Sequence, residues 1–182
     1  MFSISSTAPQ ALRVLTFVAL LASAASPASA QSGDQPKEVK KATHGAWDIV
    51  CIEGRDVCAM QHVGRDGQGN PILAVEIQKI DGLTDRDGRT VPALITVTTT
   101  IGVLLRPGIV VRVDGGEARR IGFEVCLPDR CIATRALPDQ LLNEYKRGNT
   151  AAMAFAAAAQ GQPREIRVDV SLSGFTRAFN SL

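Results

Sequence analysis

Four cysteines occur in two close pairs, Cys51 with Cys58 and Cys126 with Cys131. Cysteine can form a disulfide, ligate a metal or carry out redox chemistry, and spacing helps to decide between these roles. An even set in an exported protein is usually oxidised, and four cysteines allow three connectivities. Each close pair flanks a plausible turn, and cysteines that face each other across a hairpin approach closely enough to bond. We therefore predict the bonds Cys51–Cys58 and Cys126–Cys131, with a bridge between the two pairs as the alternative.

The spacing of potential ligands does not favour a metal site. Zinc sites use short spacings such as C-x2-C, whereas these pairs have the spacings C-x6-C and C-x4-C. The two histidines, His44 and His62, are expected at strand edges or on the surface. The acidic segment 81–88 lacks the third ligand position and the closing glutamate of an EF-hand loop, and Arg86 dilutes its charge. We predict no metal site and no cofactor, and we interpret 81–88 as a solvated turn.

Catalytic patterns are also missing from the sequence. No G-x-S-x-G or C-x-x-C motif occurs, and two histidines leave few ways to pair a base with a nucleophile. We therefore assign no catalytic residues and expect a non-enzymatic binding or interaction protein. The alternative is a small-ligand carrier or an unrecognised periplasmic enzyme, which would need a deep pocket with convergent polar groups. An exposed apolar patch would favour the interaction protein instead.

Residues 1–30 have the pattern of a secretory signal peptide. Arg13 precedes the apolar run 14–22, and Ala28-Ser29-Ala30 forms an A-x-A site, which predicts cleavage after Ala30. The apolar run is shorter than the roughly 20 residues that a transmembrane helix needs. Gln31 follows the site, so no cysteine is present there for a lipid anchor. We expect a soluble exported chain without a transmembrane anchor, either periplasmic, associated with the outer membrane or secreted.

The remaining chain is interpreted as a polar leader, residues 31–43, and one domain, residues 44–182. Arg13 is the only charged residue of the signal, so 19 of the 20 Lys and Arg residues remain against 18 Asp and Glu residues. A nearly neutral surface gives no electrostatic reason to expect a nucleic acid partner. The leader carries three lysines that nearby acidic residues offset, which favours a solvated segment.

The dominant period of the domain is two, which predicts β-strands. The clearest case is 164–173, where Ile166, Val168, Val170 and Leu172 alternate with polar residues. Other strands are predicted at 47–52, 57–63, 72–80, 93–100, 109–113, 119–126, 131–137 and 151–157. Turn signals rich in Asp and Gly separate several of them. This pattern predicts a mainly β fold, either an antiparallel β-sandwich or a flattened barrel, with one or two short helices.

Two helices and one anchor complete the prediction. Segment 137–148 has proline near its start and glycine at its end, the expected order of helix start and stop signals. In 175–182, four apolar residues lie at i, i+3, i+4 and i+7, which predicts a helix that docks on the sheet after Gly174. Trp47, the only tryptophan, is expected to be a buried anchor.

Taken in order, these residues resemble the invasion-associated locus B (IalB) family of alphaproteobacterial exported proteins. The resemblance covers essentially the whole domain and rests on these landmarks: Trp47 four residues before Cys51, Cys58-Ala59-Met60-Gln61, the segment 101–109 (IGVLLRPGI), Val113-Asp114, Cys126 with Cys131-Ile132-Ala133, Leu141-Leu142 followed by Gly148, and Ser171-Leu172-Ser173-Gly174-Phe175 with Ala178. One departure is Thr100, where the family tends to have proline.

The resemblance implies a β-rich secreted, periplasmic or outer-membrane-associated protein without known enzymatic activity. The family takes its name from a bacterial factor associated with entry into host red blood cells. It therefore implies an unidentified protein partner at the envelope or the host-cell surface, and it transfers no catalytic residues to this chain.

Overall fold

The computed structural model describes residues 36–85, 87–159 and 161–182. The predicted signal peptide and residues 31–35 of the predicted leader lie outside the described residues. The elements in chain order are β1 Glu38–His44, β2 Trp47–Ile52, β3 Cys58–Arg65, β4 Pro71–Lys79, β5 Ala93–Thr100, β6 Ile109–Val113, β7 Arg119–Ile121, β8 Phe123–Cys126, β9 Arg130–Leu137, α1 Asp139–Arg147, β10 Thr150–Ala159, β11 Gln162–Ser171 and α2 Phe175–Asn180.

The strands form two antiparallel sheets. The larger sheet has seven strands in the order β1-β2-β3-β4-β5-β9-β8, and the smaller has four in the order β11-β10-β6-β7. The two sheets stay separate within the described residues, so the sandwich is observed and the flattened barrel is not. The predicted mainly β fold with short helices is thereby confirmed.

The alternation in the sequence determines which side chains form the core. In β5, Ala93, Ile95 and Val97 are fully buried, whereas the residues between them are half-buried on the outer face. Strands of both sheets and both helices contribute to a single buried cluster. Burial of apolar surface between two layers is the main favourable contribution to the stability of this fold.

Trp47 lies in the centre of this cluster and is fully buried, which confirms the prediction of a packing anchor. Its ring contacts Phe175 edge to face at a centroid distance of 5.2 Å. Phe175 is the first residue of α2, and its side chain and those of Ala178 and Phe179 are buried. The predicted docking of the C-terminal helix is therefore confirmed.

Gly174 makes the turn into α2 with a φ of +83°, a backbone angle that glycine adopts readily. A Cβ atom at this position would also collide with the carbonyl group of His44. The close approach brings α2 against the connection between β1 and β2. The sequence prediction that Gly174 supplies a special backbone angle is confirmed.

The predicted single strand 119–126 is wrong, because the chain changes sheets inside it. Ile121 of β7 pairs with Ile109 in the four-stranded sheet, whereas Phe123 of β8 pairs with Ala133 in the seven-stranded sheet. Gly122 lies between them. The apolar alternation continues across this glycine, so the sequence pattern could not show that the two halves belong to different layers.

The structure also differs from the predicted leader. Residues 38–43 belong to β1, which pairs with β2 from Glu38 opposite Ile52 to His44 opposite Trp47. Lys40 forms a salt bridge with Asp48 at 2.8 Å. Charged side chains, lysine especially, are common on edge strands because they discourage pairing with other chains. β1 is such an edge, and its mostly exposed side chains hid it from a search for alternating apolar residues.

In the described part of the chain, no helix is long and apolar enough to cross a membrane.

Candidate interaction surface

The structure contains both predicted disulfides, Cys51–Cys58 and Cys126–Cys131, with a Cα–Cα distance of 4.0 Å in each. The first pair faces across β2 and β3, and the second faces across β8 and β9. No free cysteine remains among the described residues. The sulfur atoms therefore serve as cross-links in this structure, not as thiolate ligands or nucleophiles.

The two disulfides lie at opposite ends of the seven-stranded sheet. β3 starts at Cys58, and β9 runs antiparallel to it three strands away, so β9 starts beside the end where β3 finishes. Cys131 pairs with Thr99 near that end. The hairpin closed by Cys126–Cys131 thus lies at the same end of the sheet as Val63.

At this end, the register places an apolar row across five strands on the outer face of the large sheet. Directly opposite residues of antiparallel strands lie side by side on one face. The pairings run from β3 to β8 through Val63, Ala74, Thr98, Ile132 and Val125. We call these five residues the apolar row. Five strands at about 4.8 Å spacing make the row about 19 Å wide.

The two ends of the apolar row are the most accessible valines among the described residues. Val63 is 45% exposed and Val125 is 46% exposed, and Leu127 in the adjoining hairpin is also exposed. Beside the row is a shallow depression of about 500 Å³, lined partly by Ile72 and Pro71. Exposed apolar surface with a polar rim is typical of sites that contact proteins, membranes or ligands.

Polar contacts border the row on both sides. Towards the middle of the sheet, the neighbouring residues on the same face are polar, and Gln61 donates to Glu76 at 3.1 Å. At the end of the sheet, Arg130 forms a salt bridge with Asp129 at 2.6 Å, and their hydrogen bond lowers the pKa of the Asp129 carboxyl. An apolar centre with a polar rim is the usual arrangement of a protein interface.

A cavity of about 10 Å³, about the volume of one water molecule, lies beside Tyr145 under an ion pair between Arg119 and Glu144. That pair has an N–O distance of 2.7 Å, and the hydrogen bond raises the pKa of Arg119. Burial raises the pKa of the Tyr145 hydroxyl. These groups stabilise the contact of α1 with the sheets and leave no room for a substrate.

The acidic segment 81–88 contains a closed turn. The Asp85 carboxylate accepts the N–H groups of Asp87 and Arg89 at 2.9 Å each and binds the Arg89 guanidinium at 2.6 Å. These bonds lower the pKa of Asp85. Across the described residues, no three acidic, cysteine or histidine side chains are grouped so that they could hold a metal ion.

The two histidines, His44 and His62, occupy structural positions. His44 ends the edge strand β1, as expected. His62 differs from expectation, because it lies on the inner strand β3, where its Nδ1–H donates to the Ala46 carbonyl at 2.8 Å and its ring packs on Trp47. It stabilises the connection between β1 and β2.

The apolar row was missed by sequence reasoning. The sequence placed Val63 and Val125 in strands but did not show that they share one face of a sheet. An alternating pattern does not reveal which strands become neighbours. The available signal was the alternation within β3. Val63 is an odd number of residues from Met60, a core residue, so its side chain lies on the opposite face of the strand. Only the register shows that such positions meet.

The family model described as "Invasion associated locus B (IalB) protein" matches residues 47–182. An invasion protein B homologue of Brucella abortus (strain 2308) is 24% identical over 170 residues, covering 92% of this chain and 91% of that protein. Invasion protein B of Bartonella bacilliformis is 22% identical over 143 residues, covering 77% and 73%.

A solved structure has the same fold. The crystal structure of invasion associated protein b from Bartonella henselae has a TM-score of 0.61 and 23% sequence identity, and the match covers 79% of this chain and 94% of that chain.

Proposed function

Because the chain belongs to the invasion associated locus B (IalB) family, we propose that it is an exported interaction protein that acts at the cell envelope or on a host surface without catalysing a reaction. The observation that carries the proposal is the apolar row. It offers accessible apolar side chains with a polar rim.

The proposed location is outside the cytoplasm, in the periplasm, at the outer membrane or in the medium. Disulfides persist in oxidising compartments and are rare in the cytosol. Two disulfides close the ends of the large sheet in this chain. The signal pattern of residues 1–30 supports the same route.

The proposed partner is a protein at the envelope or the host-cell surface. Support for the host side comes from the relatives, two of which carry the name invasion protein B or its homologue. Support for the protein nature of the partner comes from the flat shape of the apolar row, because small ligands bind in concave pockets whereas proteins bind broad faces.

The test combines cell fractionation with native complex size. Val63 and Val125 are replaced together by lysine, and Val57→Lys is the matched control, because Val57 is 39% exposed but lies beside the other disulfide. We expect all three proteins in the exported fraction. The wild type and the control should migrate in a complex larger than a dimer, and the double variant should not. Retention in the cytoplasm, or a complex that the double variant leaves unchanged, would contradict the proposal.

A further inference from the structure

The outer face of the four-stranded sheet carries a second surface, distinct from the apolar row. Its central strand, β10, presents Ala152, Ala154 and Ala156 outward, whereas Met153 and Phe155 between them are buried. Longer side chains of β6 and β11 rise on both sides, and the groove between them has a volume of about 790 Å³. The turn between β3 and β4 and Pro107 also line the groove.

Charges are arranged across the groove in a row. Ala152 pairs with Arg112 of β6 on one side and with Asp169 of β11 on the other. All three side chains lie on the outer face and are exposed. At a strand spacing of about 4.8 Å, the two charged residues stand about 10 Å apart. The Arg112 guanidinium donates to the Gly116 carbonyl at 2.8 Å, and neither Arg112 nor Asp169 forms a salt bridge within the described part of the chain.

The groove as a whole has no excess of either charge. The side chains around it include three arginines and three acids: Arg65, Arg112, Arg167, Asp66, Glu165 and Asp169. A site for a free anion or cation would carry an excess of the opposite sign. In the row through Ala152, Arg112 is on the β6 side of the floor and Asp169 is on the β11 side, which fits a surface with the same order reversed.

We infer that this face binds a second copy of the chain. The two copies are related by a two-fold axis that runs parallel to β10 and lies between the two facing sheets. Such an axis places β6 of one copy over β11 of the other at the same height. Arg112 of each copy then faces Asp169 of its partner, so one symmetric contact forms two ion pairs. Ala152, Ala154 and Ala156 lie between the two ion pairs and carry no side chain long enough to clash across the axis.

The size of the face sets the strength of this dimer. β10 and β11 are ten residues long, about 33 Å at 3.3 Å per residue, and the groove spans only three strands. Its area per copy is at the low end for specific interfaces, which corresponds to weak, concentration-dependent association. The electrostatic pattern supplies orientation more than affinity.

Charge reversal tests the inference in the full exported protein. Arg112→Asp gives each copy two acids on the row, and Asp169→Arg gives each copy two arginines. Each variant alone should associate at least about tenfold more weakly than the wild type, because like charges then face each other twice. An equimolar mixture of the two variants should restore association, because every contact in the mixed dimer is again between opposite charges. Sedimentation equilibrium over a range of protein concentrations measures the association of the wild type, of each variant and of the mixture.

Two controls keep the outcome specific. Arg177→Asp changes an exposed arginine on α2, away from the groove, and should associate as the wild type does. Melting curves show whether each variant is folded. A wild type that remains monomeric at all concentrations, or a dimer that neither reversal weakens, overturns the inference. A mixture that fails to restore association overturns it as well.

Discussion

The indole Nε1–H of Trp47 donates a hydrogen bond to the carbonyl oxygen of Ser171 at 3.0 Å, and this bond joins the two sheets of the sandwich. Trp47 begins β2 of the large sheet, and Ser171 ends β11 of the small one. Next to it, the Ala46 N–H donates to the Ser173 carbonyl at 2.9 Å. The beginning and the end of the domain are therefore held together at one partly buried point.

Replacing Trp47 by alanine should lower the free energy of unfolding by about 3–5 kcal/mol, because it leaves a large cavity against Phe175. Trp47→Phe retains most of the apolar volume and loses the bond to Ser171, so its cost should be smaller, about 1 kcal/mol from the hydrogen bond plus some loss of packing. Urea unfolding measures both. Equal stability of the alanine variant and the wild type would show that this residue is not the anchor.

Deleting residues 175–182 should cause unfolding or aggregation. The deletion removes α2, whose Phe175 and Phe179 are buried against the core, and each large side chain that is fully buried contributes about 1.5–3 kcal/mol. Arg177→Ala, an exposed change in the same helix, is the control. Normal accumulation of the truncated protein with an unchanged melting curve would contradict this role.

Non-reducing peptide mapping of the exported protein should recover Cys51 bonded to Cys58 and Cys126 bonded to Cys131. Loop-entropy arithmetic gives each such short loop about 2–2.5 kcal/mol of stability. Replacing both cysteines of either pair by serine should lower the unfolding midpoint accordingly. Peptides that link one pair to the other, or free thiols, would show that the connectivity is wrong.

Acid should destabilise the protein partly through Asp114. Its carboxylate accepts the N–H of Thr150 at 2.9 Å and of Asn149 at 3.0 Å, and these bonds lower its pKa from the ordinary value of 3.8. A group with a lower pKa in the folded state contributes stability that is present above the unfolded pKa and lost as the pH falls through the folded pKa. The melting temperature should therefore decrease as the pH is lowered below 3.8.

The variant Asp114→Asn tests this dependence. Asparagine tolerates the positive φ of 46° at this position, so the backbone is preserved while the titrating group is removed. Its melting temperature should be lower near neutral pH and should change less in acid than that of the wild type. Parallel pH curves for the two proteins would rule out a contribution from Asp114.

The sequence predicted the core strands well because their buried side chains alternate. β5 and β11 are the clearest cases, since one face of each lies against the core. β1 was missed for the converse reason: its partner is reached through backbone hydrogen bonds, and its side chains carry little apolar pattern. The change of sheet at Gly122 was also missed, because alternation is preserved on both sides of it.

The candidate surfaces were beyond the reach of the sequence. The apolar row and the charged row each combine residues from several strands, so they exist only once the strand order and register are fixed. Val63 and Val125, for example, are 62 positions apart in the numbering of the chain and form the two ends of one row across three intervening strands. The disulfides were predictable by contrast, because each closes a hairpin between adjacent strands.

The most direct test of the proposed function is photo-cross-linking in living cells from single positions of the large sheet. A photoreactive amino acid replaces Val63, Val125 or, as the control, Val57, and adducts are identified by mass spectrometry. We predict that positions 63 and 125 yield the same partner protein and that position 57 does not. Failure of both row positions to yield an adduct, or the same adduct from all three positions, would contradict an interaction surface at the apolar row.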